Sequence, residues 1–146
     1  MSSDAGRDRA LSATTPGLVQ VIRWRDLDPL GHVNYAAYLT YLEEARNAWL
    51  QTHIGLPSGH GYVVARLEID YSLEIAPKDG PVRIDIELRR IGTTSLVLHE
   101  SIRNVDSALC AEAQVTVVLW DQDSRQARPL SDAEYRGLVA LSPAEG

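Results

Sequence analysis

The sequence predicts an α+β fold in which an antiparallel sheet of about five strands wraps around one long central helix. Two observations lead to this fold: apolar residues recur at helical spacing in one segment, and further along the chain they alternate in four long segments. A helix with a broad apolar face needs a sheet around it, because nothing else in the chain can cover that face. The 146 residues are enough for one domain of this kind.

One segment has the period of a helix. Its apolar residues are three or four positions apart, at Tyr35, Tyr38, Leu42, Ala45 and Trp49. They form a broad stripe, which is typical of a largely buried helix. Asn34 is the predicted N-cap and Gly55 the predicted C-terminal stop. Glu43 and Arg46 are three positions apart, so we expect them to pair on the exposed face of the helix.

After the helix the hydrophobic period changes to two. Alternation covers the segments ARLEIDYSLEI (65–75), VRIDIELR (82–89), SLVLHESIRN (95–104) and ALCAEAQVTVVLW (108–120). Short turns join these segments, which predicts an antiparallel meander. Glu100 interrupts the apolar face of its strand, and the sequence offers no explanation for it. Ser131 and Glu134 form a capping-box pair, which predicts a short C-terminal helix.

The N-terminal residues suggest where the domain begins, and the predicted sheet suggests how copies of the chain assemble. Residues 1–16 are polar, small and of mixed charge, so we expect a flexible tail there and a single domain over residues 17–146. The domain would open with a short β-rich run, LVQVIRW, followed by a loop at residues 25–34. The predicted sheet leaves one edge strand unpaired, which favours a homodimer or homotetramer.

Composition narrows the class of function. The chain has 14 Lys and Arg against 20 Asp and Glu, a net charge of −6, which argues against a nucleic-acid partner. No apolar run reaches the roughly 18–20 residues of a membrane span, and we expect no secretory signal. The single cysteine, Cys110, cannot form an internal disulfide, and no zinc-type cluster of Cys and His is present. We therefore expect a cytoplasmic protein.

The loop before the helix holds the residues best suited to chemistry. Asp26 and Asp28 form a DxD pair, which on its own is most often a solvated turn. Here the pair leads into a helix N-terminus, where free N–H groups favour developing negative charge. A carboxylate beside such donors is half of an acyl-transfer site. His32 and Asn34 lie in the same loop, either as a hydrogen-bonded histidine and a helix cap or as parts of that site.

A second feature is compatible with an anionic ligand. Arg89 and Arg90 end a strand beside the Gly92 turn, and Ser95 lies just past it. They are either a solvated strand end or contacts for phosphate groups. The sequence has no P-loop, no GxGxxG, no GxSxG and no HExxH, so NTPases, dinucleotide enzymes, serine hydrolases and zinc proteases of those types are unsupported.

Residues 21–50, VIRWRDLDPLGHVNYAAYLTYLEEARNAWL, resemble the hotdog-fold acyl-CoA thioesterases of the 4-hydroxybenzoyl-CoA thioesterase type. That family's pattern is a strand, then D-x-D-x-x-G-h-V-x, an aromatic residue, and a helix carrying Y-x-x-Y/F-x-E-x-A-R. The matching residues here are Asp26, Asp28, Gly31, His32, Val33, Asn34, Tyr38, Tyr41, Glu43 or Glu44, Ala45 and Arg46. The strand IDYSLEI, a PxDG-like turn and RRIGTTS extend the resemblance over about residues 18–120.

The resemblance implies an acyl-CoA thioesterase whose two subunits join their sheets edge to edge and hold the sites at that interface. It implies that Asp28 is the catalytic carboxylate, either as general base on water or as a nucleophile that forms a mixed anhydride. The backbone N–H of Tyr35 would polarise the thioester carbonyl, and Asn34 or His32 would position the water. The expected substrate-binding residues are Gly31, Tyr38, Arg89, Arg90 and Ser95. No cofactor, metal ion or membrane is expected.

The sequence leaves two other functions open, one enzymatic and one non-catalytic. A hotdog dehydratase acting on 3-hydroxyacyl chains would need an HFP-type loop histidine and a carboxylate in the central helix, and this chain has no HFP. A non-catalytic hotdog module that binds an acyl or aromatic ligand would have no need of Asp28, which is present here. Some relatives carry a Tyr-His dyad after the glycine, whereas this chain reads HVNY, with His32 directly after Gly31.

Overall fold

Five long strands and one long helix make up most of the architecture in the computed structural model, which describes residues 8–57 and 60–142. The elements are β1 (Arg9–Gln20), α1 (Tyr35–Ile54), β2 (Tyr62–Tyr71), β3 (Val82–Ile91), β4 (Ser95–Arg103), β5 (Leu109–Asp121), β6 (Gln126–Ala127) and α2 (Asp132–Val139). Single turns of 3-10 helix lie at Trp24–Asp26 and Pro77–Asp79. Neither helix in these ranges has the length and apolar character of a membrane span.

All neighbouring strands of the sheet are antiparallel. The order across it is β1-β3-β4-β5-β2, and the short β6 pairs with β5. Strands β3, β4 and β5 form a meander, but the expectation that β2 belongs to it is wrong, because β2 pairs with β5 and not with β3. Strands β1 and β2 therefore lie at opposite edges. Every second residue of the three central strands is buried, and these residues cover α1. The predicted α+β fold, a sheet around one central helix, is confirmed.

The ends of both helices match the sequence signals. The Asn34 side chain accepts a hydrogen bond from the Ala36 amide at 2.9 Å, which makes it the N-cap of α1. Gly55 ends the helix with a φ of 72°, a left-handed conformation that glycine adopts without strain. In α2 the Ser131 hydroxyl accepts from the Glu134 amide at 3.1 Å, and the Glu134 carboxylate accepts from the Ser131 amide at 2.8 Å. The predicted capping box is confirmed.

The first strand begins earlier than the sequence suggested. Strand β1 starts at Arg9 and pairs with β3 along its length, so the expected tail is wrong for residues 9–16. Leu11 is the one large apolar side chain of residues 9–15 that packs on the core; Ala13 is buried, and the Thr15 hydroxyl accepts from the Trp49 indole N–H at 2.9 Å. Such residues give too weak an apolar alternation to be recognised. The strand ends at Gln20, and residues 1–7 lie outside the described ranges.

An ion pair in the core corrects a second expectation. Arg46 does not pair with Glu43 on the helix surface, because its side chain is buried and donates two hydrogen bonds to Glu100, both 2.8 Å long. Burial raises the pKa of Glu100, and the bonds from Arg46 oppose that shift. Two charges are tolerated in a core when they are paired and hydrogen-bonded. The arginine therefore explains why a glutamate stands on the inner face of β4.

Candidate active site

The loop between β1 and α1 is a tight hairpin. A β-bridge joins Leu27 to Val33, the Asp28 amide donates to the His32 carbonyl at 2.8 Å, and the Gly31 amide donates to the Asp28 carbonyl at 3.0 Å. Gly31 has a φ of 83°, which favours glycine at this turn. The loop therefore has a defined shape, with Asp28 in the hairpin that leads into α1.

Backbone hydrogen bonds fix the Asp28 carboxylate. Its Oδ1 accepts from the Leu30 amide at 2.9 Å and from the His32 amide at 3.3 Å. Its Oδ2 makes no hydrogen bond within the described part of the chain. One oxygen thus orients the group, while the other is available to a water molecule or a substrate.

The N-terminus of α1 offers a free donor. Asn34 satisfies the Ala36 amide with its side chain and the Ala37 amide, at 2.8 Å, with its carbonyl. The N–H of Tyr35, the first helical residue, has no hydrogen-bond partner within residues 8–57 and 60–142. Amides in the first turn of a helix carry partial positive charge and bind anions. This N–H can therefore stabilise an oxyanion.

A groove of about 320 Å³ adjoins this helix end. Its lining residues are Val33, Tyr35, Tyr38, Tyr71, Ser72, Leu73 and Glu74. Tyr71 packs edge-on against Tyr38 and Tyr35, with ring centroids 5.1 and 6.4 Å apart. The volume lies at the lower end of the roughly 300–1,000 Å³ of small-molecule sites.

Hydrogen bonds hold the tyrosines of the groove in place. The Tyr38 hydroxyl donates to the Leu73 carbonyl at 3.2 Å, and the Tyr71 hydroxyl donates to the Tyr35 carbonyl at 3.1 Å. Burial raises the pKa of Tyr38 to about 12, so this phenol stays neutral. Tyr35, by contrast, has 71% of its surface exposed, and it borders the open side of the groove.

The other aspartate of the DxD pair is an anchor. Asp26 Oδ2 accepts from Arg23 Nε at 2.9 Å and from the Tyr41 hydroxyl at 2.7 Å, and Arg23 also binds Glu44 at 3.1 Å. Burial alone would raise the pKa of Asp26, but the bonds from Arg23 and Tyr41 outweigh it and lower that pKa. The Asp26 carbonyl accepts from the Asn34 amide at 2.7 Å. Asp26 therefore ties the loop to α1.

The structure adds Glu74, which the sequence did not single out. Its Oε2 lies 3.2 Å from Nδ1 of His32. In the sequence Glu74 is an ordinary outward residue of an alternating segment, and no motif marks it. Only the folded arrangement brings this carboxylate to the loop.

The arginine pair is exposed but already has acidic neighbours. A bulge between Leu88 and Arg90 leaves both arginines on the surface. Arg89 Nε lies 3.3 Å from Glu87, and Arg90 Nη2 lies 2.9 Å from Asp8. A phosphate group would have to compete with these carboxylates.

The arginines lie apart from the loop within one chain. Ile84 of β3 shares a row across the sheet with Tyr71, and Arg90 is six positions further along β3, about 20 Å at the usual strand rise. Ser95 is at the arginine end, where its carbonyl accepts from the Gly92 amide at 2.7 Å. Of the predicted site residues, the groove lining includes Tyr35 and Tyr38, while Asp28, Gly31, His32 and Asn34 lie in the preceding loop outside that lining. Arg89, Arg90 and Ser95 lie at a distance from both. Within the described ranges no group of three or more His, Cys, Asp and Glu side chains is placed to hold a metal ion.

Known proteins with similar sequences and structures place the chain in a family. It is 29% identical over 114 residues, 75% of this chain and 84% of the other, to the acyl-CoA thioester hydrolase YbgC of Escherichia coli. It is 26% identical over 121 residues, 81% of either chain, to the uncharacterized protein YsmA of Bacillus subtilis. The structure of a Thermus thermophilus thioesterase complexed with coenzyme A and Zn superposes with a TM-score of 0.72 at 32% identity, covering 86% of this chain and 93% of that one. Residues 22–138 match the family model of the thioesterase-like superfamily, and the chain therefore belongs to that superfamily and has its hotdog fold.

Proposed function

We propose that this protein is an acyl-CoA thioesterase, which hydrolyses an acyl-CoA to a carboxylic acid and free CoA. One observation carries the proposal: a carboxylate with a free oxygen, that of Asp28, lies in the loop that leads into a helix whose Tyr35 N–H is also free. Relatives support the substrate, since YbgC is an acyl-CoA thioester hydrolase and the Thermus thioesterase binds coenzyme A.

Asp28 supplies the attack on the thioester. Its free oxygen either takes a proton from an attacking water or adds to the carbonyl carbon itself, giving a mixed anhydride that water then opens. Single-turnover hydrolysis in ¹⁸O-labelled water separates the two routes, because only the anhydride route can place label in the Asp28 carboxylate. His32 and Asn34 are the candidates for positioning the water.

The Tyr35 N–H stabilises the negative charge that develops on the carbonyl oxygen. Removal of one such donor in an acyl-transfer enzyme costs about 2.7–4 kcal/mol of transition-state stabilisation. The donor is a backbone group held by the capped helix, so it needs no reorganisation during the reaction. Tyr38 lines the groove that takes the acyl group, and Gly31 forms the turn of the loop before it.

A second copy of the chain completes the site. Strand β2 is an unpaired edge of the sheet, it carries the exposed Val63 and Val64, and it ends at Tyr71 in the groove. Pairing of two β2 edges would cover these residues and close the groove, giving a homodimer or a homotetramer built from two such dimers. Arg89, Arg90 and Ser95 would then contact the nucleotide part of CoA. With its one cysteine reduced, the enzyme is suited to the cytoplasm.

The central helix gives no support to a dehydratase. Glu43 is exposed, and Glu44 binds Arg23 at 3.1 Å; neither carboxylate lines the groove. A dehydratase of this fold would use a helix carboxylate at its site. The hydrolase is therefore the function that this geometry supports best.

Release of free thiol tests the proposal. The purified protein is mixed with a panel of short, long and aromatic acyl-CoAs, and CoA thiol and carboxylic acid are both quantified. We expect equal amounts of the two products from at least one member of the panel. Binding of acyl-CoA without thiol release, or hydration of an enoyl-CoA in its place, would contradict the hydrolase.

A further inference from the structure

The backbone on both sides of Glu74 is anchored at the edge of the groove, while its side chain is exposed. The residues on both sides of it are anchored: the Leu73 carbonyl accepts from the Tyr38 hydroxyl at 3.2 Å, and the Ile75 carbonyl accepts from the Val33 amide at 2.8 Å. Ile75 is also fully buried. The backbone around Glu74 is therefore held against the loop and α1, unlike that of an ordinary surface glutamate.

Glu74 meets His32 at the point where the loop holds Asp28. The carboxylate lies 3.2 Å from His32 Nδ1, and Glu74 lines the groove together with Tyr35. The His32 amide in turn donates to the Asp28 carboxylate at 3.3 Å. A carboxylate on one ring nitrogen orients the imidazole and leaves Nε2 as the nitrogen for proton transfer, as in other His–carboxylate pairs at active sites.

We propose that Glu74 is a positioning residue that holds His32 toward the sulfur of the thioester, and that His32 supplies the proton taken up by the departing CoA thiolate. This inference rests on the proposed thioesterase activity and extends it to the leaving group. It gives the site two proton-transfer groups, Asp28 for the water and His32 for the thiol.

The proton balance of the step is complete. Water adds to the carbonyl carbon as Asp28 takes one of its protons, and the oxyanion faces the Tyr35 N–H. The carbon–sulfur bond then breaks, its electron pair stays on sulfur, and the sulfur takes a proton from Nε2 of the doubly protonated His32. The proton on Asp28 returns to His32 before the next turnover. The products are the carboxylic acid and CoA thiol, with no other reactant.

Substrates whose thiols differ in acidity distinguish proton donation by His32 from a purely structural role of His32 and Glu74. The test compares an acyl-CoA with the same acyl group carried on thiophenol, whose more acidic thiol departs without a proton. On acyl-CoA we expect His32→Gln to lower kcat about 10²-fold, the low end of general acid–base effects, and Glu74→Gln to lower it about tenfold through misplacement of the ring. On the thiophenyl ester both variants should turn over at close to the wild-type rate.

A double-variant cycle tests whether Glu74 acts through His32. In the His32→Gln background, Glu74→Gln should have little further effect on kcat, because residues that act as one unit are not additive. Glu112→Gln is the matched control: Glu112 lies 3.2 Å from His99 Nε2 on the outer face of the sheet, and its replacement should leave kcat unchanged. Unchanged thermal unfolding midpoints would show that the variants are folded.

Each remaining outcome counts against the inference. A wild-type kcat for Glu74→Gln on acyl-CoA overturns it, as does the same fractional loss in the His32→Gln background or on the thiophenyl ester. Those results would leave the proposed hydrolase intact if the wild-type protein still releases thiol. Absence of thiol release by the wild-type protein would overturn the proposed function, and this inference with it.

Discussion

At the scale of single residues, two aspartates two positions apart have opposite environments. Asp26 is held by the side chains of Arg23 and Tyr41, whereas Asp28 accepts only backbone N–H groups and keeps one oxygen free. The first is suited to fixing the loop and the second to chemistry. The DxD pattern in the sequence does not show which aspartate anchors the loop and which is available for chemistry.

Replacement of Asp26 should destabilise the fold. Asp26→Asn removes the charge that Arg23 and Tyr41 bind, and hydrogen bonds to charged groups contribute about 1.5–3 kcal/mol each. We therefore expect the free energy of unfolding, measured in urea, to fall by about 1–3 kcal/mol. Asp28→Asn is the control, because an amide oxygen can keep the bonds to the Leu30 and His32 amides. Equal stabilities of the two variants would contradict the anchoring role.

The effect of Asp26 should also depend on pH. Its pKa in the folded protein is lower than the ordinary value of 3.8, so the ionised group stabilises the fold above that value. This contribution is lost as the pH falls from 3.8 through the lower folded-state pKa. The stability difference between wild type and Asp26→Asn should therefore be constant near neutrality and shrink below pH 3.8. A difference that persists undiminished at lower pH would contradict this assignment.

At the scale of elements, the N-terminus of α1 is both a helix cap and a part of the site. Asn34→Ala removes the bond to the Ala36 amide and should lower the free energy of unfolding by about 1 kcal/mol. Asn34→Ser keeps a capping oxygen, so we expect it to retain stability, and its kcat then reports the role of the Asn34 side chain in positioning the water. Chemical denaturation and thiol-release assays measure the two effects. A stable but inactive Asn34→Ser protein would assign the Asn34 side chain to water positioning.

Elements whose apolar residues keep a regular spacing over a long segment were predictable from the sequence. Contacts between segments far apart in the chain were not. The limits of α1, the capping box of α2 and strands β3 to β5 follow from local patterns that repeat over eight or more residues. The first half of strand β1 is not predictable in this way, because Leu11 is followed on the inner face by the small Ala13 and the polar Thr15. The pairing of Arg46 with Glu100 joins residues 54 positions apart, so no local pattern reveals it.

The residues of the candidate site likewise fall into two groups, those close together in the sequence and those brought together only by the fold. Asp28, His32, Asn34 and Tyr35 lie within one loop and the helix that follows it, so their proximity was evident from the sequence alone. Glu74 reaches His32 from the segment after β2, and only the fold brings them together. The distance of the arginine pair from this loop likewise depends on strand register, which a single sequence does not determine.

At the scale of the whole molecule, the β2 edge predicts the assembly. We expect sedimentation velocity at micromolar concentration to show at least a homodimer. The double variant Val63→Lys/Val64→Lys places charge on both faces of this edge and should shift the protein toward monomer, with a loss of activity because the groove stays open. Val105→Lys is the control, since Val105 is exposed on the β4–β5 turn. An active wild-type monomer would contradict the shared site.

The charge distribution predicts how the protein holds CoA. Arg89→Ala/Arg90→Ala should raise KM for acyl-CoA and leave kcat largely intact, because contacts far from the thioester stabilise the bound substrate and the transition state alike. The effect should shrink as salt rises, since exposed charges are screened within about 8–10 Å near physiological ionic strength. It should vanish for a short thioester without the nucleotide. Equal impairment on that truncated substrate would contradict a phosphate role.

The turnover number of Asp28→Asn tests the central claim most directly. Thiol release from the best acyl-CoA is followed for this variant and for the wild-type protein, with Asp106→Asn, an exposed turn residue, as control. Loss of the free Asp28 carboxylate oxygen should lower kcat by at least about 10²-fold in a folded protein. An Asp28→Asn protein with near wild-type kcat would contradict the assignment of this loop as the active site.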